Sequence, residues 1–71
     1  MSENEILAKL GSRIRYLREK KNMTQSMLAA ECHFEKATMS RIESGRTNIT
    51  VNTLQKISKA LDVHMSDFFK D

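Results

Sequence analysis

Thr24-Gln25-Ser26-Met27-Leu28-Ala29-Ala30-Glu31-Cys32-His33-Phe34-Glu35-Lys36-Ala37-Thr38-Met39-Ser40-Arg41-Ile42-Glu43-Ser44-Gly45 is the stretch on which the architecture turns. Thr24 is a good N-cap, so a helix is expected over roughly Gln25 to Glu31, with Leu28, Ala29 and Cys32 facing inward. His33-Phe34 reads as a tight turn. A further helix, about Glu35 to Ser44, then turns Met39 and Ile42 inward, and Gly45 stands where a left-handed stop is wanted.

Upstream, from about Asn4 to Lys21, Ile6, Leu7, Leu10, Ile14 and Leu17 recur at helical spacing and make one apolar face. Gly11 weakens that helix by about 1 kcal/mol relative to Ala, unless a close helix crossing needs it. Downstream, Arg46 to Thr50 is a polar loop, and Thr50 caps a fourth helix carrying Val51, Leu54, Ile57, Ala60 and Leu61. A last short turn holds Met65, Phe68 and Phe69. The expectation is an all-α protein, a compact five-helix bundle without strands, forming one domain over residues 1–71. A chain this short buries only about 60% of its unfolded surface, so help from self-association is expected.

Several function classes drop out. Cys32 is the single cysteine, which excludes an internal disulfide and any multi-cysteine zinc site. Cys32-His33 and the distant His64 do not close a tetrahedral shell, so neither metal nor cofactor is expected. No Gly-rich phosphate loop, paired-carboxylate cleft or activated Cys–His pair is visible, and catalysis is not expected. The start, Met1-Ser2-Glu3-Asn4-Glu5, is acidic and unlike a signal peptide. The apolar run Met27 to Ala30 is far short of the roughly 18 residues that span a bilayer. No membrane partner is expected, and the cytoplasm is the expected compartment.

The formal charge is +3, and its placement is uneven. Lys9 to Lys21 holds six basic residues and one acid, a local +5, and Lys36 to Arg46 a local +2. Positive charge gathered on the first helix and around the third is what a nucleic-acid footprint requires, although a solvated helix face is the ordinary alternative.

The two short helices around His33-Phe34, with small Ala29 at their crossing, form a helix-turn-helix, about residues 24–44, whose second helix presents its outer face to a major groove. The stretch resembles the Cro/repressor-type helix-turn-helix family of lambdoid phages, the XRE family of bacterial regulators, without a gap from Arg18 through Gly45. The likeness continues through Thr47-Asn48-Ile49-Thr50 and Leu54 to Leu61, reaching Asp67-Phe68-Phe69. The Arg46–Thr50 loop and the short length also resemble restriction–modification controller proteins.

The resemblance implies a lambda-repressor-like domain that binds double-stranded DNA and regulates transcription. Lys36, Ala37, Ser40 and Arg41 then face base edges, Lys36 or Arg41 toward guanine and Ala37 toward a thymine methyl. Thr24 and Gln25 at a helix start, with Arg46, Thr47 and Asn48 in the following loop, fall to the phosphate backbone. Arg18 and Glu43 occupy the positions of a structural ion pair. Three residues depart from the pattern. His33 and Asp62 stand where Gly is usual, and Glu35 replaces Ser, Thr or Asp at an N-cap.

One such module reads too few base pairs for specificity, so a homodimer over an inverted-repeat operator is expected. Its surface is placed at Leu61, Val63, Met65, Phe68 and Phe69, with one of the adjacent phenylalanines inward and the other at the interface. Within seventy-one residues no separate effector domain is expected. Control is therefore expected through concentration and dimerisation, by blocking or recruiting RNA polymerase. The alternative is an antitoxin-type or protein-interaction module whose main partner is another protein.

Overall fold

Glu3 and Glu5 sit in the first turn of the opening helix and Arg18 and Lys20 in its last, the order the helix dipole favours. The Ser2 hydroxyl closes its start by accepting the Glu5 N–H at 3.2 Å. The computed structural model describes residues 2–70. Helix α1 spans Glu3–Lys20, α2 Gln25–Glu31, α3 Lys36–Glu43 and α4 Val51–Leu61, and a 3-10 helix follows over Met65–Phe69. No strand occurs among the described residues. The expected five-helix bundle is thus corrected to four α-helices and a 3-10 turn. Asp67 donates its N–H to the His64 carbonyl at 2.9 Å, while its carboxylate accepts the His64 N–H at 3.1 Å. The backbone bond closes over three residues, the 3-10 pattern, and the carboxylate bond caps its start. The Asp67 carboxyl is held below its ordinary range, chiefly by the bond from Lys70.

All four α-helices stop in the same way. Asn22, His33, Gly45 and Asp62 each adopt the left-handed conformation, with φ of 59°, 59°, 74° and 55°. The next residue then donates its N–H five positions back: Met23 to Arg18, Phe34 to Ala29, Arg46 to Arg41 and Val63 to Ser58, at 2.8 to 3.1 Å. These are Schellman stops, and they satisfy carbonyls that a helix end otherwise leaves open. Only one is a glycine. Asn, His and Asp tolerate the conformation better than other side chains but still bear strain. A His33→Gly chain should therefore melt higher, by up to about 1 kcal/mol of stability, in a thermal scan followed by circular dichroism. An unchanged or lower midpoint would mean that His33 is not strained.

The core gathers Leu10, Ile14 and Leu17 from α1, Leu28, Ala29 and Cys32 around α2, and Met39 and Ile42 from α3. Leu54, Ile57, Leu61 and Phe68 complete it. Two residues assigned to apolar helix faces lie outside: Ile6 is 48% and Val51 69% exposed, each in an early turn that overhangs its neighbours. Cys32 is a packed thiol, its pKa raised by burial. Helices α2 and α3 pack chiefly on each other, and α1 lies across α3. At that crossing a Cβ on Gly11 would stand 2.5 Å from the Glu43 carbonyl oxygen and 2.6 Å from that of Ile42. Gly11 is there because backbone meets backbone.

Candidate nucleic-acid interface

Residues at i, i+1, i+4 and i+5 share one side of a helix. On α3 these are Lys36, Ala37, Ser40 and Arg41, and all four are exposed. Met39, fully buried, and Ile42 and Glu43, nearly so, hold the opposite side. Thr38 is half-buried toward the helix junction. Glu35 makes no side-chain cap, so the start of α3 rests on backbone geometry alone. Among the described residues, none of the four outward side chains is spent on a hydrogen bond or ion pair within the chain.

A charged network fixes α3 from behind. Arg18 grips Glu43 with two bonds, Nε to Oε2 at 2.7 Å and Nη2 to Oε1 at 3.0 Å. Its Nη1 donates to the Met23 carbonyl at 2.8 Å, which ties in the turn after α1. The Arg18 side chain is 9% and the Glu43 side chain 3% exposed. The bonded Glu43 carboxylate raises the pKa of the Arg18 guanidinium above its ordinary value. Gln25 joins the same carboxylate, its Nε2 donating to Glu43 Oε1 at 3.0 Å. The sequence assigned Gln25 to phosphate alone. Nothing local signals its link to Glu43, eighteen residues away. An amide nitrogen carries two hydrogens, so one remains after Glu43 is served.

The other residues assigned to the DNA backbone flank this face. Thr24 is exposed and caps α2, its Oγ1 accepting the Met27 N–H at 3.1 Å. Arg46 and Asn48 are exposed and Thr47 is half-buried, all in the loop between α3 and α4. The charge of α1 falls differently from the linear count. At about 100° per residue, Arg13, Tyr16 and Lys20 lie roughly opposite Gly11, the line that touches α3. Arg13 instead donates from Nε to the Asp67 carbonyl at 2.7 Å and lies over the Tyr16 ring. Much of the basic cluster on the first helix therefore faces away from α3. A linear count cannot register the azimuth of a helix.

Of the five residues given to a dimer surface, Leu61 and Phe68 belong to the core, at 1% and 2% exposure. Val63 and Met65 are half-buried against it, while Phe69 is 64% exposed. No cluster of three or more metal-ligating side chains occurs among the described residues. No helix there is long and apolar enough to cross a membrane.

Comparison with known proteins gives a consistent result. A family model described as Helix-turn-helix matches residues 14–68. Control protein C.BamHI of Bacillus amyloliquefaciens is 40% identical over 65 residues, 90% of this chain and 80% of that one. Control protein C.MunI of Mycoplasma sp is 33% identical over 69 residues, covering 96% and 93%. The crystal structure of the restriction-modification controller protein C.AhdI from Aeromonas hydrophila superposes with a TM-score of 0.86 at 30% identity, over 89% of this chain and 96% of that one.

Proposed function

The chain belongs to the helix-turn-helix family of DNA-binding transcriptional regulators, and from that premise we propose that it is a restriction–modification controller acting as a homodimer on an inverted repeat. The observation that carries this is the outward face of α3, where Lys36, Ala37, Ser40 and Arg41 are exposed while the opposite side is locked to α1 and α2. Similarity over most of the chain to two control proteins, and to the restriction-modification controller protein C.AhdI, supports the finer assignment.

In this reading α3 enters the major groove. Arg41 and Lys36 donate to guanine O6 and N7, Ser40 hydrogen-bonds a base edge and Ala37 meets a thymine methyl. Thr24, Gln25, Arg46, Thr47 and Asn48 hold phosphates and set the register. The second Nε2 hydrogen of Gln25 is the group available for this, aimed by the bond of the first to Glu43. The two-fold partner places a second α3 about one helical turn away, roughly 10 bp. Regulation is by occupancy in the cytoplasm, blocking or recruiting RNA polymerase according to the operator's position. The single domain spans the chain, and its dimer contact centres on Val63, Met65 and Phe69.

Selection from a random duplex pool, repeated at two salt concentrations, tests the reading. An enriched inverted repeat is expected. Salt-sensitive binding without an enriched sequence, or no binding, would instead favour a module whose main partner is a protein. Within the selected site, Arg41→Ala should cost about 1–3 kcal/mol at one base position and relax the preference there, measured by titrating single-base operator variants. A loss spread evenly over all sequences would move Arg41 to phosphate.

A further inference from the structure

Each of the four α-helices is preceded by a residue in extended backbone, and three of those residues close the helix with a side-chain oxygen. Ser2, Thr24 and Thr50 accept N–H groups three positions on, at 3.1 to 3.2 Å. Glu35 is the exception. It stands at the N-cap of α3 with the same kind of backbone, φ −74° and ψ 153°, yet its carboxylate makes no cap. The side chain is exposed, and among the described residues it enters no hydrogen bond or ion pair. Residues 35 to 50 hold two acids, and the other, Glu43, is buried and bound by Arg18. Glu35 is therefore the one unpaired negative charge in α3 and the loop after it.

A free carboxylate there opposes binding to a polyanion, because it repels phosphates whatever the sequence. A recognition helix, however, enters the groove with its N-terminal residues against base edges, and Glu35 heads that end of α3. Chemistry then sets what a carboxylate can meet. The cytosine N4 amino group is a donor, whereas guanine O6 and N7 and thymine O4 accept. Adenine offers N6–H beside N7, so a carboxylate gains one bond and faces one repulsion.

We propose that Glu35 is a specificity-determining residue, its carboxylate accepting from the N4 amino group of one cytosine in each half-site. The inference rests on the DNA-reading role of α3 proposed above and adds an acidic reader to its four outward residues. Lys36, next in the chain, donates to guanine in that role. Side by side the two present an acceptor and a donor, which fits a cytosine and a guanine of the same or the neighbouring pair. Repulsion from other base edges makes the charge exclude wrong sequences as well as hold the right one.

The test is selection from a random duplex pool with the unaltered chain, Glu35→Ala and Glu35→Gln, each checked for helicity by circular dichroism. Because Glu35 holds nothing inside the chain, both variants should remain folded. The unaltered chain should enrich cytosine at one position of each half-site. Glu35→Ala should lose about tenfold in the preference for cytosine there and keep the rest of the motif. Glu35→Gln sets a donor beside the acceptor, the pattern that matches adenine N6 and N7, and should move the preference toward adenine. Loss of cytosine at that position alone in Glu35→Ala supports the assignment, and a turn to adenine in Glu35→Gln supports it further. If both variants bind every sequence more tightly by one common factor, with the motif intact, Glu35 only repels phosphate and the assignment is overturned. An unchanged motif and affinity overturns it too, as does a changed position that never held cytosine. An unaltered chain that enriches no sequence removes the reading role of α3, and this assignment with it.

Discussion

A Glu43→Ala chain should be barely folded at room temperature. The substitution strands the Arg18 guanidinium in a site where its side chain is 9% exposed, and it also removes the acceptor of Gln25. Breaking one side of a buried pair costs about 3–5 kcal/mol, because the remaining charge keeps its desolvation penalty without a partner. A domain of 71 residues has a total stability of about 4–11 kcal/mol to lose. Urea unfolding should therefore show a transition shifted far toward zero denaturant, with the steepness of a cooperative fold retained where it can be measured. The paired replacement Arg18→Met with Glu43→Leu sharpens the expectation. It removes both charges, so much of the stability should return. Its affinity for DNA should stay reduced, since Gln25 has lost the carboxylate that aims it. If the two chains unfold at the same urea concentration, the stranded charge is not the cause.

The second large effect is expected at Gly11. Alanine there gains about 1 kcal/mol of helix propensity, and on a helix considered alone it would stabilise. Its Cβ, however, would meet the carbonyl oxygens of Glu43 and Ile42 at 2.5 and 2.6 Å. These are backbone atoms held by the helix, and no rotamer change can move them aside. Helices α1 and α3 must separate, and overpacking of this kind costs about 1–3 kcal/mol. The net sign is destabilising, and Gly11→Val should be worse. Thermal midpoints of the three chains should fall in the order Gly, Ala, Val. An Ala chain that melts higher than the parent would show that the crossing has slack.

Much of this was legible from the sequence because the helix signals are local. Thr24 and Thr50 cap the helices that follow them, each accepting an N–H three residues on at 3.1 Å. The stop at Gly45 was readable for the same reason, while those at His33 and Asp62 came from the resemblance, which puts Gly at both positions; all three are left-handed. What escaped was azimuth and long-range pairing. Counting charges along α1 put its basic cluster into a nucleic-acid footprint as a whole, whereas rotation about the helix carries Arg13 and Lys20 to the side away from α3. The bond from Gln25 to Glu43 joins residues from different helices, and no spacing rule reaches across that gap. The final turn was read as a helix because Met65, Phe68 and Phe69 suit either winding. The backbone bond from the Asp67 N–H to the His64 carbonyl, three residues back, is the 3-10 closure.

The division of α3 into a clamped side and an idle side bears on how such a chain acquires new targets. Met39, Ile42 and Glu43 anchor the helix, and substitutions among them are felt by the whole fold. Lys36, Ala37, Ser40 and Arg41 support nothing inside the chain, so exchanging them should change stability by only about 0.5 kcal/mol or less. Stability and target choice can therefore drift independently. A lineage carrying this scaffold is free to sample many operators without first passing through unfolded intermediates, and a library randomised at those four positions should yield mostly folded members.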